Sequence, residues 1–208
     1  MRSYLAMVLA TVLMIALAGC APAPIEPSPT PPPSASADAS STPTPTPDAG
    51  PEPFTISGCE AMLPLPLAQE LFSANTEFFG ESPAVGFSGS FAVPAIQSAL
   101  STAAQARLCS WGVPSSDGAF ALVVAELPAP DQAPVIAALT TAGFAPSSSG
   151  TETTLRLEQD GLVSSEAQTH IFTGAVWILV DGTSAELTNA VAASALTVLR
   201  AANPALSF

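Results

Sequence analysis

The chain has 208 residues, 17 acidic and 4 basic side chains, a formal net charge of −13, 22 prolines, 3 cysteines and one histidine. The basic residues are Arg2, Arg107, Arg156 and Arg200, with no lysine, which excludes a P-loop lysine, a Schiff-base lysine and a Ser-x-x-Lys nucleophile. Nor does so acidic a chain supply the clustered cations that nucleic acid requires.

In chain order, Arg2 precedes an apolar run over residues 4–18, and Leu17-Ala18-Gly19-Cys20 follows at once. The run is shorter than the roughly 20 residues of a membrane-spanning helix and reads as a signal peptide, residues 1–19. Leucine, two small residues and a cysteine resemble the lipobox of bacterial lipoproteins, in which the cysteine thiol is alkylated with diacylglycerol before cleavage. That resemblance implies a lipidated mature N-terminus at Cys20, stable membrane attachment through at least two acyl chains, and residence on the extracytoplasmic face. An ordinary secretory signal or an uncleaved anchor helix is the alternative.

Residues 20–53 hold 12 of the 22 prolines, including Pro31-Pro32-Pro33 and Thr42-Pro43-Thr44-Pro45-Thr46-Pro47. With almost no large apolar side chain, such a segment cannot offset the entropy of ordering itself and is expected to be a disordered tether. Thr42, Thr44 and Thr46 are candidate O-glycosylation acceptors; an unmodified spacer is the plain reading.

Residues 54–208 remain as one globular domain, long enough to bury roughly two thirds of its unfolded surface. Ser57 with Glu60 fits capping chemistry, Pro66 suits the first turn of a short helix ending near Ser73, and residues 75–90 read as a loop or short edge hairpin. Residues 96–107 are alanine-rich and predict a helix, with Arg107 at the negative end of its dipole. Residues 108–113 and 119–127 predict strands, the second buried because it is continuously apolar. Asp131 as N-cap and Gly143 as stop delimit a helix, and strands follow over 153–159, 166–172 and 175–180. The tight Thr173-Gly174 connection requires the last two to be antiparallel. Thr183-Ser184-Ala185-Glu186 caps a long final helix with Leu187, Val191, Ser194 and Val198 on one stripe, stopped at Asn203-Pro204. Three or four helices and about five strands predict an α+β fold, a two-layer sandwich of a mainly antiparallel sheet with helices on one face.

With Cys20 assigned to lipid, Cys59 and Cys109 form an even pair in an exported chain, for which a disulfide is the default. A metal site is the weaker alternative, since only His170 could add a nitrogen ligand. Cys59 shortly before Leu63-Pro64, then Cys109-Ser110-Trp111, then strand, helix, strands and a C-terminal helix, resembles small actinobacterial-type lipoproteins in which such a cysteine pairs with a Cys-x-Trp strand. The resemblance implies a compartment and a fold, and no particular activity.

Candidate chemistry is thin. His170 is the sole imidazole, and its neighbours Thr169 and Ile171 place it at an ordinary strand position, where His170→Gln is expected to cost at most about 1 kcal/mol. Gly86-Phe87-Ser88-Gly89-Ser90 lacks the last glycine of a nucleophile elbow. Glu152, Glu158, Asp160 and Glu166 surround one hairpin and read either as an acid/base or calcium set or as a solvated acidic edge that blocks strand aggregation. Trp111, Trp177, Phe120 and Phe172 read as core aromatics, with Trp111 on the disulfide. No cofactor, metal or nucleic acid is expected. The sequence reads as a non-catalytic module, held at the membrane by its lipid, that binds an envelope protein or other component. The alternative is a carrier of a small or lipidic ligand in an apolar pocket lined by the Phe-rich loop from Phe72 to Phe91.

Overall fold

The computed structural model describes residues 53–84, 91–161, 165–206 and 208. The signal-like segment, Cys20, the tether with Thr42, Thr44 and Thr46, and the Gly86 to Ser90 run lie outside the described residues.

Seven strands make one antiparallel sheet: β1 (Glu77–Pro83), β2 (Gln105–Gly112), β3 (Ala119–Glu126), β4 (Ala145–Ser149), β5 (Glu152–Asp160), β6 (Ser165–Thr173) and β7 (Val176–Gly182). Their order across the sheet is β1-β2-β3-β7-β6-β5-β4. Among the described residues five helices accompany them: α1 (Cys59–Met62), α2 (Leu65–Leu71), α3 (Pro94–Thr102), α4 (Ala129–Thr141) and α5 (Ala185–Ala202). The fold is thus the expected α+β sandwich on an antiparallel sheet, with a difference in how the helices are distributed.

Strand alternation sends successive side chains to opposite faces, and here both faces carry apolar residues. Phe120, Leu122 and Val124 of β3 join Ile178 and Val180 of β7 in a core with α1, α2 and α5. Val123 and Ala125, with Trp177 and Leu179, form a second core together with Ile96 and Leu100 of α3 and Val135 and Leu139 of α4. The helices therefore occupy two faces rather than one, because the central strands are apolar on both sides.

The first core is closed by α5. Ser184 caps it, its hydroxyl accepting from Leu187 N–H at 3.2 Å, one residue later than a Thr183 cap would sit. The buried stripe runs through Leu187, Val191, Ala195 and Leu199, leaving Ser194 and Val198 at its margin. Ser194 Oγ donates to the Met62 carbonyl at 2.7 Å, and Thr169 and Thr188 share a 2.9 Å hydrogen bond between β6 and α5. Cys59 and Cys109 are disulfide-bonded with Cα atoms 5.6 Å apart, joining α1 to β2 within this core. Trp111 stacks on Phe120 with ring centroids 5.6 Å apart.

Several local expectations give way to pairing. Arg107 lies in β2, where its guanidinium meets Glu81 at 2.8 Å, since the eight-residue ladder with β3 outweighs the alanine propensity that predicted a helix through 107. The stretch read as a loop or hairpin contains β1, an edge strand with a bulge between Phe78 and Gly80, ending at Pro83 where an edge tolerates a missing N–H. Gly58, and not Ser57, is the N-cap of α1, and the single short helix is two, interrupted at Leu63-Pro64. Asp131 lies in the first turn of α4 behind an N-cap at Pro128, while Gly143, at φ +97°, is the stop expected of it. β4 has no sequence signature because every one of its residues is exposed.

Candidate functional site

The second helical layer covers only part of its sheet face. Cross-strand register places Leu155, His170, Leu179, Val123 and Leu108 in one row across β5-β6-β7-β3-β2. This row is buried in the second core, its histidine included. Two residues further along, on the same face, the row reads Leu157, Gln168, Asp181, Ala121 and Ser110. Except at Leu157, small and polar side chains replace the large apolar ones, and of α3 and α4 only the flanking Val93 and Ala142 line the space above them. The result is an open hollow of about 600 Å³ whose floor includes this row and whose walls include Val93, Ala142 and Phe144. That volume falls within the range of small-ligand sites, roughly 300–1,000 Å³.

Three carboxylates line the hollow: Asp117, Glu166 and Asp181. Asp117 and Glu166 are exposed, and Gln159 Nε2 donates to Glu166 at 3.3 Å. Asp181 is the sheltered one. Burial pushes its carboxyl up to about 6, a hydrogen bond from Gln168 works against that rise, and the negative charge of Glu166 adds to it. None of the described arginines balances it: Arg107 pairs with Glu81, Arg200 with Glu152 at 3.4 Å, and Arg156 donates to Asn189 and Ser147.

The chain enters the domain at the opposite end of the sheet. Gln105, the first residue of β2, donates through Nε2 to the Phe54 carbonyl at 2.7 Å and to Glu126 at 2.9 Å. Asn203 at the end of α5 accepts from Thr55 N–H at 2.7 Å and donates to the Thr55 carbonyl at 2.9 Å. From Gln105 to Gly112, the length of β2, the two ends are about 23 Å apart at ~3.3 Å per residue.

His170 is fully buried. Trp177 Nε1–H donates to its Nδ1 at 3.3 Å, which puts the proton of the neutral ring on Nε2. The imidazole stacks near-parallel to Phe172 and Trp177, and Phe144 meets it edge to face at 5.1 Å. Burial lowers its pKa to about 3, and among the described residues Nε2 has no hydrogen-bond partner. The strand position is as expected, but the modest cost assigned to His170→Gln is not: that figure assumed one exposed hydrogen bond, whereas the side chain is a packed member of an aromatic stack.

The hairpin carboxylates are divided by strand alternation. Glu166 reaches the hollow, while Glu158 accepts from Ala185 N–H at 3.3 Å on the α5 side and Glu152 pairs with Arg200. β4 pairs with β5 only over residues 152–156, so Glu152 is covered by it, while Glu158 and Asp160 lie exposed on the stretch of β5 that β4 does not pair. Among the described residues no group of three His, Cys, Asp or Glu side chains is gathered for a metal ion, and no helix is long and apolar enough to cross a membrane. Phe72, offered as a pocket residue, instead packs on Phe120 at 5.3 Å in the first core. Asp181 and Gln168 were not singled out from the sequence; the available signal was a carboxylate ending a strand, Val176–Gly182, whose preceding residues are all apolar. Neither a protein-family model, nor a curated protein, nor a solved structure matches this chain.

Proposed function

We propose that the protein is a lipid-tethered, extracytoplasmic binding module that takes a small ligand into the hollow on the open part of its sheet, without catalysis. The observation that carries this reading is the Leu157-Gln168-Asp181-Ala121-Ser110 row. Five strands converge to pave a floor that none of the described helices covers, and one sheltered carboxylate is left there without a cation among the described residues. A sheltered, uncompensated charge costs stability, and such costs concentrate at sites that bind.

The tether and lipid rest on the Leu17 to Cys20 motif and the proline-rich stretch. Absence of catalysis is favoured by the burial of the sole imidazole, since a general base must come within hydrogen-bond reach of its substrate. A carrier of lipid chains is less well supported, because the floor is polar at Gln168 and Asp181 and the hollow is open.

The test is hydrogen-exchange mass spectrometry of the full-length protein in detergent, screened against small fragments. Binders are expected to protect segments 108–112, 119–122, 157–160, 165–168 and 181–183, and Ala121→Trp, which fills the floor, is expected to abolish that protection. Protection confined to other segments, or unchanged by Ala121→Trp, would overturn the assignment of the hollow as the binding site.

A further inference from the structure

We infer that the ligand of the hollow is a small organic cation, an amine carried on an apolar body, with the Asp181 carboxylate as its counter-ion and Phe144, Leu157 and Ala121 against its apolar part. This rests on the preceding reading of the hollow as a binding site and names the class of molecule it takes.

Charge complementarity selects the sign. Every ionisable side chain lining the hollow is acidic, the chain has no lysine, and the three described arginines are engaged elsewhere. An anionic ligand would meet Asp117 and Glu166 at the rim and Asp181 on the floor. A metal ion is disfavoured because the carboxylates are spread over the β2–β3 turn, β6 and β7 and are not gathered about one point.

Position selects the shape. The only sheltered carboxylate is at the floor, and the two exposed ones lie nearer solvent. A ligand that buries a single cation and leaves an apolar body against Phe144 and Leu157 satisfies both. One largely desolvated ion pair is stronger than the same pair in water, and the apolar lining adds burial that a bare ammonium ion could not use.

The groups facing Asp181 are Gln168 and Glu166 of β6, Ala121 of β3 and Asp117 before β3, with Leu157 and Gln159 of β5 beyond. No second cation competes for it among them. Binding is therefore expected to need the ionised carboxylate and to weaken as Asp181 takes up its proton.

The experiment is isothermal titration calorimetry of the full-length protein in detergent with tryptamine, its neutral analogue tryptophol and the anionic indole-3-propionate. At pH 7.5 tryptamine is expected to bind at least tenfold more tightly than either analogue. Moving to pH 5 is expected to weaken it about tenfold, and Asp181→Asn to remove the preference, while Glu60→Gln on α1 leaves it intact. Absence of tryptamine binding, tryptophol binding within threefold of tryptamine, or equal tryptamine affinity in Asp181→Asn would each overturn the inference. If tryptamine and tryptophol bind equally and Ala121→Trp abolishes both, the cation preference fails and the hollow survives as the site. Protection by tryptamine outside the hollow removes both readings.

Discussion

Asp181→Asn isolates the energetic cost of the open hollow. In the folded protein the carboxyl titrates at about 6, against 3.8 ordinarily. A group whose folded pKa is raised contributes stability that is present below its unfolded pKa and lost as pH rises through the folded value. At 1.36 kcal/mol per pKa unit, the loss between pH 3.8 and 6 is about 3 kcal/mol. Asparagine occupies the same volume and can still accept from Gln168, but carries no charge. The variant is therefore expected to be more stable than the parent by up to about 3 kcal/mol at pH 7.5, roughly 6–12 °C in Tm for a domain of this size, and equal to it below pH 4. His170 has the opposite sign. Its folded pKa of about 3 lies below the ordinary 6.5, so its contribution is complete above pH 6.5 and is lost as pH falls toward 3. Between pH 4 and 6 the two slopes oppose one another at about 1.36 kcal/mol per unit each. Replacing Asp181 should expose the histidine slope, so that the variant's stability drops by roughly 3 kcal/mol from pH 6.5 to 4 relative to its own plateau. Urea titrations at fixed pH, followed by the fluorescence of Trp111 and Trp177, measure both. A parent-to-variant difference that does not change with pH, or a variant less stable at pH 7.5, would refute the reasoning.

Cys20→Ala is expected to leave an unprocessed precursor or to release soluble protein; normal lipid labelling with membrane retention would remove the lipid anchor from the account. Intact-mass analysis of the native protein should find no free thiol at Cys59 or Cys109 before reduction, and reduction should lower Tm clearly, since closing a loop of this span contributes about 4 kcal/mol; two alkylatable thiols in the native domain would contradict the bridge. His170→Gln should cost about 2–4 kcal/mol through lost aromatic packing and the stranded Trp177 N–H, and a calorimetric cost under 1 kcal/mol would contradict the packing described. Asn203→Ala should destabilise by about 1–3 kcal/mol, because Thr55 loses partners for both its N–H and its carbonyl; unchanged amide exchange at Thr55 would count against the clasp.

What the sequence made legible is local. The apolar runs of β3 and β7, the tight connection read at Thr173-Gly174 between β6 and β7, the Gly143 stop and the capping run from Thr183, which the structure moves one residue on to Ser184, each depend on residues within a few positions of one another. The even cysteine pair could also be read without a fold. Failures came where long-range pairing decided the outcome. Arg107 was assigned by the alanines before it, but its conformation is set by β3 and by Glu81. Nothing local announced β4, which pairs the Glu152 end of the acidic hairpin and leaves Glu158 and Asp160 beyond it, because its Ala145–Ser149 run is exposed on both faces and so shows no alternation.

The hollow was illegible for the same reason, in stronger form. Ser110, Ala121, Leu157, Gln168 and Asp181 come from five strands, and they become neighbours only when β7 inserts between β3 and β6. Taken singly, each is unremarkable in its strand: small in β2 and β3, polar at the ends of β6 and β7. Placed side by side, they form a row that is small or polar at four of its five positions, beside a row packed against α3 and α4. The consequence for function follows from direction. The final helix, on the opposite face of the sheet, starts beside the hollow at Gly182-Thr183 and ends at Asn203, which clasps Thr55. Ligand uptake at the hollow is therefore expected to leave the Thr55–Asn203 clasp and the Cys59–Cys109 bridge unchanged.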